Sequence, residues 1–261
     1  MKQTSIRRLL LAAAVAAGAT VAAASEPISQ TRTVADFTGL SVGGKCRIIF
    51  TAGPCSLRLE SEKQEAIDRV QTQVTDGTLR IESDGVMPAN VTVYASAPRL
   101  AGLSISGACR FETDRPIETD DLKLKVNGAG RIETNGISCS SLTVDQNGST
   151  VFKDKGRISC QRLRCDIDGA GKATLTDVES ESAQVGISGA GLCNATTMHA
   201  RSLELKLSGA GKMNIAGIEA DDIEATISGM GKITLEGRTG AISTKVNGLG
   251  KIVTDNLTRR E

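Results

Sequence analysis

The 261 residues carry 31 basic against 30 acidic side chains, 28 glycines and only 2% aromatic residues. So few rings exclude a stacking platform for bases or sugars, and the near-neutral charge excludes general nucleic-acid binding. Glycine at this level, without collagen's triplet period, points to many tight turns.

At the N-terminus, Lys2, Arg7 and Arg8 precede an apolar run from Leu9 to about Ala19. Ala22-Ala23-Ala24 then offers a small-residue cleavage site before Ser25. This layout predicts a secretory signal peptide over residues 1–24 and export to the periplasm, the cell surface or the medium. The run is too short and alanine-rich for a stable membrane span, and no later stretch is predicted to span. Residues 1–24 hold three basic and no acidic side chains, so 31 less three leaves 28 basic against 30 acidic after cleavage.

Residues 25–105 read as a smaller β-rich segment that caps the remainder of the chain. Arg47-Ile48-Ile49-Phe50 and Leu57-Arg58-Leu59-Glu60 alternate like half-buried strands. Val70 to Val74, Asp76-Gly77 and Leu79-Arg80-Ile81 predict a hairpin with Asp-Gly as its turn. Gly44-Lys45-Cys46-Arg47-Ile48 looks like a degenerate copy of the motif that dominates residues 106–261.

That motif is a Ser/Asn-Gly-x-Gly corner. Its first glycines fall at Gly107, Gly128, Gly148, Gly169, Gly189, Gly209, Gly229 and Gly248, a step of 19 to 21 residues. A fixed period of this size marks a stacked repeat. Before each corner runs an alternating strand, such as Leu203, Leu205, Leu207 or Ile223, Ala225, Ile227. Four residues after the first glycine an inward position returns: Phe111, Ile132, Phe152, Ala173, Cys193, Met213, Ile233 or Ile252. One rung cannot bury its own apolar face, but stacked rungs ~4.8 Å apart form continuous ladders. The prediction is an all-β chain: a parallel β-helix of about eight ~20-residue rungs over residues 106–261. With its cap, it makes one continuous domain over 25–261. An antiparallel sandwich would not explain one corner recurring at each full period.

The first glycine is invariant across the eight copies, which predicts a positive φ or a close approach. The second is replaced by Cys109 and Thr150, so it is expected to tolerate a side chain better. On this reading Gly209→Val destabilises strongly and a substitution at Gly211 less so.

Among seven cysteines, Cys139 and Cys160 each lie nine residues before a first glycine, so they should stack on adjacent rungs within disulfide reach. Cys46 and Cys55, flanking the Gly53-Pro54 turn, form a second candidate pair. Cys165 and Cys193 fall on inward positions and read as core thiols. The odd count leaves at least one thiol unpaired or paired between chains.

Three residues after the first glycine stand Arg110, Arg131, Val151, Lys172, Leu192, Lys212, Lys232 and Lys251. The six basic residues would make a stripe along one edge of the rod, a candidate strip for a surface glycan or other acidic polymer. The alternative is a solvated corner compensated by residues such as Glu112 and Glu133. His199, the only histidine, has no nucleophile and acid at triad spacing and reads as a surface or corner residue. Asp120-Asp121 and Asp221-Asp222 read as polar corners rather than a carboxylate pair for glycoside chemistry. No catalytic, metal-binding or cofactor motif emerges, and the glycines precede strands rather than a helix, unlike a phosphate loop.

Phe37-Thr38-Gly39-Leu40, Asp76-Gly77-Thr78-Leu79-Arg80-Ile81, Ala97-Pro98-Arg99-Leu100 and the repeated Ser/Asn-Gly-Ala-Gly together carry a resemblance. From about residue 30 to 255 the chain resembles the putative auto-transporter adhesin, head GIN domain family of exported bacterial proteins. The resemblance implies a right-handed parallel β-helix and an adhesin-like, non-enzymatic scaffold. The ending Thr258-Arg259-Arg260-Glu261 is expected to blunt the open end of the stack, without a C-terminal membrane barrel. Two other readings stay open: a purely structural envelope protein, with envelope proteins as its partners, or a polysaccharide lyase or hydrolase on a β-helix.

Overall fold

The computed structural model describes residues 27–83 and 91–260. The expected signal peptide lies outside the described residues. Among the described residues, twenty strands form a single hydrogen-bonded sheet wound into a β-solenoid of about eight turns, accompanied by one short helix.

The N-terminal part holds β1 (Ile28–Arg32), β2 (Gly39–Gly44), β3 (Arg47–Ala52), β4 (Ser56–Ser61) and α1 (Gln64–Asp68). It continues with β5 (Val70–Thr75), β6 (Thr78–Ser83) and β7 (Thr92–Ala97). The β5–β6 hairpin turns at Asp76 and Gly77, with φ of 51° and 67°. Positive φ at both central residues is why Asp-Gly suits this turn.

Next come β8 (Gly102–Gly107) and β9 (Arg110–Thr113), which begin the regular stack. Here chain order and stacking order differ. β2 lies between β6 and β8, and β3 between β7 and β9, all in parallel. The β6–β7 rung is therefore the outer one, although it comes after β2–β3 in sequence. Antiparallel β4 and β1 extend the sheet beyond β7. These antiparallel pairings cover the parallel edge that would otherwise lie open at this end.

From there the stack follows the sequence: β10 (Ile117–Glu118), β11 (Asp121–Gly128), β12 (Arg131–Thr134), β13 (Ile137–Gly148), β14 (Val151–Asp154) and β15 (Arg157–Gly169). It ends with β16 (Lys172–Gly189), β17 (Leu192–Gly209), β18 (Lys212–Gly229), β19 (Lys232–Gly248) and β20 (Lys251–Arg259). Parallel register puts like on like. Leu203 stacks on Ile223 and then Ile242, while Leu207 stacks on Ile227 and then Val246. One hydrophobic cluster runs from Phe37 to Leu235. Each fully buried Leu or Ile in these ladders contributes about 1.5–3 kcal/mol before entropy is charged.

The ladder fades on the last rung. β20 pairs with β19 only from Lys232 to Thr239, so residues 241–248 have a neighbour on one side. Val246, expected to face inward like its equivalents, is 43% exposed for that reason.

The corner explains the glycine pattern. Gly209 has a φ of +118°, and a Cβ there would lie 2.4 Å from the Gly189 carbonyl oxygen of the preceding rung. Gly211 is not among the positive-φ glycines, but a Cβ on it would lie 2.7 Å from the Gly191 oxygen and 3.0 Å from a Leu207 methyl. The expected tolerance at Gly211 is therefore smaller than the exceptions suggest. Thr150 fits because the inward residue four positions earlier is Gln146, whose Oε1 accepts a 2.9 Å bond from the threonine hydroxyl. Most other repeat rungs carry an aliphatic side chain there.

A second turn is organised by a residue that pattern reading passed over. Asp154 is fully buried and accepts bonds from Thr134 Oγ1 (2.5 Å) and from the backbone N–H groups of Gly136 and Gly156 (both 3.0 Å). It satisfies donors that would otherwise be stranded at the next bend of the rung.

Candidate functional site

All six basic corner residues project outward into solvent, in register along one edge. Backbone hydrogen bonds fix their column: the N–H of Lys212 donates to Gly191 O (2.9 Å), that of Lys232 to Gly211 O (3.1 Å) and that of Lys251 to Gly231 O (3.0 Å).

The column divides into two halves. Its arginines are paired, with Arg47, Arg110, Arg131 and Lys155 sharing the two carboxylates Glu112 and Glu133. Glu112 pairs with Arg47 at 2.6 Å and also with Arg110. Glu133, only 5% exposed, gathers Arg131, Arg110 and Lys155, the last at 2.6 Å. The hydrogen bond from Lys155 and the adjoining Arg131 outweigh burial and hold the Glu133 carboxyl down to about 2.

The lysine half differs. Among the described residues Lys172, Lys212, Lys232 and Lys251 form no ion pair; Lys123, Lys155 and Lys206 do, while Lys45, Lys63, Lys125, Lys153 and Lys245, outside the column, are likewise unpaired. Lys212, Lys232 and Lys251 stand on three consecutive rungs, while Leu192 separates them from Lys172. Two unit charges at the ~5 Å rung spacing repel by about 0.8 kcal/mol in water before salt screening. A bridging anion would turn that repulsion into attraction. Beside the column runs a polar row in which Asn214 Nδ2 donates to Asn194 Oδ1 at 2.9 Å.

The tip between the two glycines also changes along the rod. It is alanine or serine from Ala108 to Ala210, then Met230 and Leu249, which are 68% and 86% exposed. These two apolar tips occupy equivalent corner positions on adjacent rungs, two residues before Lys232 and Lys251. The tip residues were legible in the repeat, but only exposure distinguishes them from core residues of the same type.

Register brings Cys139 opposite Cys160 on adjacent rungs. It does not bring Cys46 to Cys55. Cys46 Sγ lies 3.1 Å from Cys109 Sγ, while the Cys55 thiol points to Phe37 O at 3.9 Å. The reason is topological: β2–β3 stacks directly against β8–β9, which places the two cysteine-bearing corners together. Cys165 and Cys193 are enclosed in the core, and burial pushes the Cys193 thiol up to about 12.

His199 is half-buried in an outward column between Glu179 and Glu219. Glu219 is already bound by Arg238 and Arg260. Asp121 and Asp222 occupy one column, five rungs apart through Ser141, Arg162, Ser182 and Ser202. Five steps of ~4.8 Å separate them by about 24 Å, well beyond the roughly 5–9.5 Å of paired glycosidase carboxylates. A polar concavity of about 540 Å³ lies elsewhere, lined by Thr119, Ser138, Cys139, Cys160, Glu179 and Arg201 among others. Glu179 there is held by Arg157 at 2.9 Å. Sequence reading missed the concavity because its lining residues are spread over several rungs. No helix among the described residues is long and apolar enough to cross a membrane.

A family model described as "Putative auto-transporter adhesin, head GIN domain" matches residues 36–198 and 193–261. Among solved structures, a putative adhesin from Parabacteroides merdae ATCC 43184 is similar with a TM-score of 0.74 and 20% identity. That match covers 91% of this chain and 98% of the other. A putative adhesin from Parabacteroides distasonis ATCC 8503 matches with TM-score 0.74 and 20% identity, over 90% and 97% of the two chains. A putative lipid binding protein from the same strain has TM-score 0.66 and 16% identity, over 91% and 98%. At these identities the likeness shows the fold alone. No curated protein matches.

Proposed function

Because the chain belongs to the putative auto-transporter adhesin, head GIN domain family, we propose that it is an exported, non-enzymatic solenoid that holds an acidic surface polymer along Lys212, Lys232 and Lys251. The observation that carries this reading is the contrast within one column. At equivalent backbone positions the arginines are matched by Glu112 and Glu133, and the lysines by no carboxylate among the described residues. A polyanion with charges a few ångströms apart would replace weakly repelling neighbours with bridged pairs. The adhesin wording of the family supports a binding role, and the separation of the aspartate pairs disfavours the glycosidase alternative.

The test is binding of the purified protein to an immobilised acidic polysaccharide, with neutral dextran as control, at low and high salt. The Lys212→Ala/Lys232→Ala/Lys251→Ala variant should lose most of a salt-sensitive interaction. Equal binding by parent and variant would refute the lysine column. No binding to any acidic polymer would favour the purely structural envelope reading.

A second reading is favoured by Met230 and Leu249. Exposed apolar tips beside lysines suit a ligand with both acidic and apolar parts, such as an anionic lipid, and one structural neighbour is described as a putative lipid binding protein. Vesicles containing phosphatidylglycerol, compared with phosphatidylcholine alone, separate this reading from the polymer.

A further inference from the structure

We propose that a disulfide between Cys46 and Cys109 staples the N-terminal segment to the repeat stack. The two residues occupy the same place in the corner motif. Gly44 aligns with Gly107 and Arg47 with Arg110, so Cys46 and Cys109 both stand at the second-glycine position of neighbouring rungs. In most other rungs that position is glycine because a Cβ would meet methyls and carbonyl oxygens, as at Gly130, where Val126 Cγ1 would lie 2.6 Å away. Here two side chains are accommodated at once, and their sulfurs lie 3.1 Å apart.

Both residues are buried, 5% and 1% exposed. Cys109 Sγ also lies 3.4 Å from Gly44 O, and apart from the backbone of Cys46 and Gly44 no polar group among the described residues bonds the pair. A dithiol sealed in this way gains little from hydrogen bonding, whereas a disulfide removes both S–H groups and leaves an apolar link. Rung stacking also sets adjacent backbones ~4.8 Å apart, inside the Cα range that disulfides span. The Cys139–Cys160 pair meets the same register condition, but Cys139 is only half-buried at the polar concavity. That pair is thus the accessible counterpart of a sealed one. Cys55, Cys165 and Cys193 remain thiols, which accounts for the odd number.

The chemistry is thiol–disulfide exchange. One thiolate, having lost its proton to solvent, attacks a sulfur of an oxidising disulfide and expels that reagent's first thiolate. The second cysteine, likewise deprotonated, attacks the mixed disulfide, forms the Cys46–Cys109 bond and expels the second thiolate. Two cysteines are oxidised, and one disulfide of the oxidant is reduced to two thiols. Because the sulfurs are enclosed in the folded rungs, the bond must form before or while the β2–β3 rung docks on β8–β9.

The inference does not depend on the proposed export or ligand, since the oxidant can be supplied. The full chain is refolded from denaturant in a glutathione/glutathione disulfide buffer, alkylated under denaturing conditions and digested without reductant. The expected result is a linked peptide pair joining Cys46 to Cys109, with Cys165 and Cys193 alkylated. Alkylation of both Cys46 and Cys109, or a Cys46–Cys55 link, would overturn it. The bond would close a loop spanning 63 positions of sequence. Loops of that size stabilise enough that reductant should lower the parent melting temperature by about 10 °C. With Cys139→Ala/Cys160→Ala in both proteins to remove the response of the second pair, a Cys46→Ala/Cys109→Ala variant should lose most of that shift; the same shift with and without Cys46 and Cys109 would overturn the staple.

Discussion

Replacing Gly209 with alanine adds one methyl group to the chain, and the corner geometry says it cannot be absorbed. At φ +118° an alanine leaves the ordinary backbone regions, at about 1–3 kcal/mol. Its Cβ would also sit 2.4, 3.0 and 3.1 Å from the oxygen, nitrogen and carbonyl carbon of Gly189. Those atoms are backbone of the preceding rung and have no rotamer to change. Relief requires the rungs to separate, which strains the 2.9 Å bond from Ala210 N–H to Gly189 O, worth about 1 kcal/mol. Together the loss is about 3–4 kcal/mol, or roughly 10 °C in melting temperature for a chain of this size. Thermal unfolding followed by circular dichroism reads the effect. Gly53→Ala is the control, because Gly53 has no positive φ and nothing lies within 4 Å of its added Cβ. Gly211→Ala should fall between the two, having the crowding without the backbone penalty. If Gly209→Ala melts together with Gly53→Ala, the close approach of Gly209 to Gly189 does not constrain the stack.

Two carboxylates make predictions of opposite sign. Glu133 falls from an ordinary value of 4.5 to about 2, so its stabilisation is present above pH 4.5 and is lost as pH drops towards 2. After allowance for half-exposed cationic partners this amounts to about 2 kcal/mol. Glu133→Gln should melt lower at neutral pH and change less between pH 4.5 and 2; parallel pH profiles would reject the assignment. Burial, opposed by its three hydrogen bonds, raises the Asp154 carboxyl, so this group favours the folded state more as pH falls. Asp154→Ala strands Thr134 Oγ1 and the N–H groups of Gly136 and Gly156, and should lower stability by about 3 kcal/mol in chemical denaturation. A loss under about 1 kcal/mol would mean that solvent reaches these groups.

The repeat part of the fold was legible because inward positions recur at one period, and parallel register converts sequence offset directly into stacking. Cys139 opposite Cys160 follows from counting alone. The N-terminal segment was not readable in the same way. Its corner at Gly44 was visible as a degenerate copy, but the insertion of β2–β3 between β6–β7 and β8–β9 breaks the link between order in sequence and order in space. That break is why Cys46 meets Cys109 rather than the nearby Cys55. Asp154 was missed for a different reason: its role comes from three donors around one bend, and no spacing rule marks it. The charge stripe was visible as six residues, and Glu112 and Glu133, two positions after Arg110 and Arg131 on the same strands, were visible beside it; what the sequence did not show is that Glu133 also gathers Lys155 and that no carboxylate reaches the column's lysines among the described residues.

That division bears on function because the solenoid supplies its own control. Arg110, Arg131, Lys212, Lys232 and Lys251 share one backbone position, one direction and one rung spacing, so the fold itself cannot account for their different surroundings. If the column merely protected an edge or kept the rod soluble, carboxylates could sit beside the lysines as Glu112 and Glu133 sit beside the arginines, with little effect on stability. If it binds a polyanion, the two halves must respond differently. Arg110→Ala/Arg131→Ala removes charge that Glu112 and Glu133 partly offset, and should reduce polymer binding and its salt dependence much less than the lysine variant does. The lysine triple variant should reduce both. Equal losses from the two variants would show that net charge along the rod, rather than the unpaired lysine column, governs the interaction.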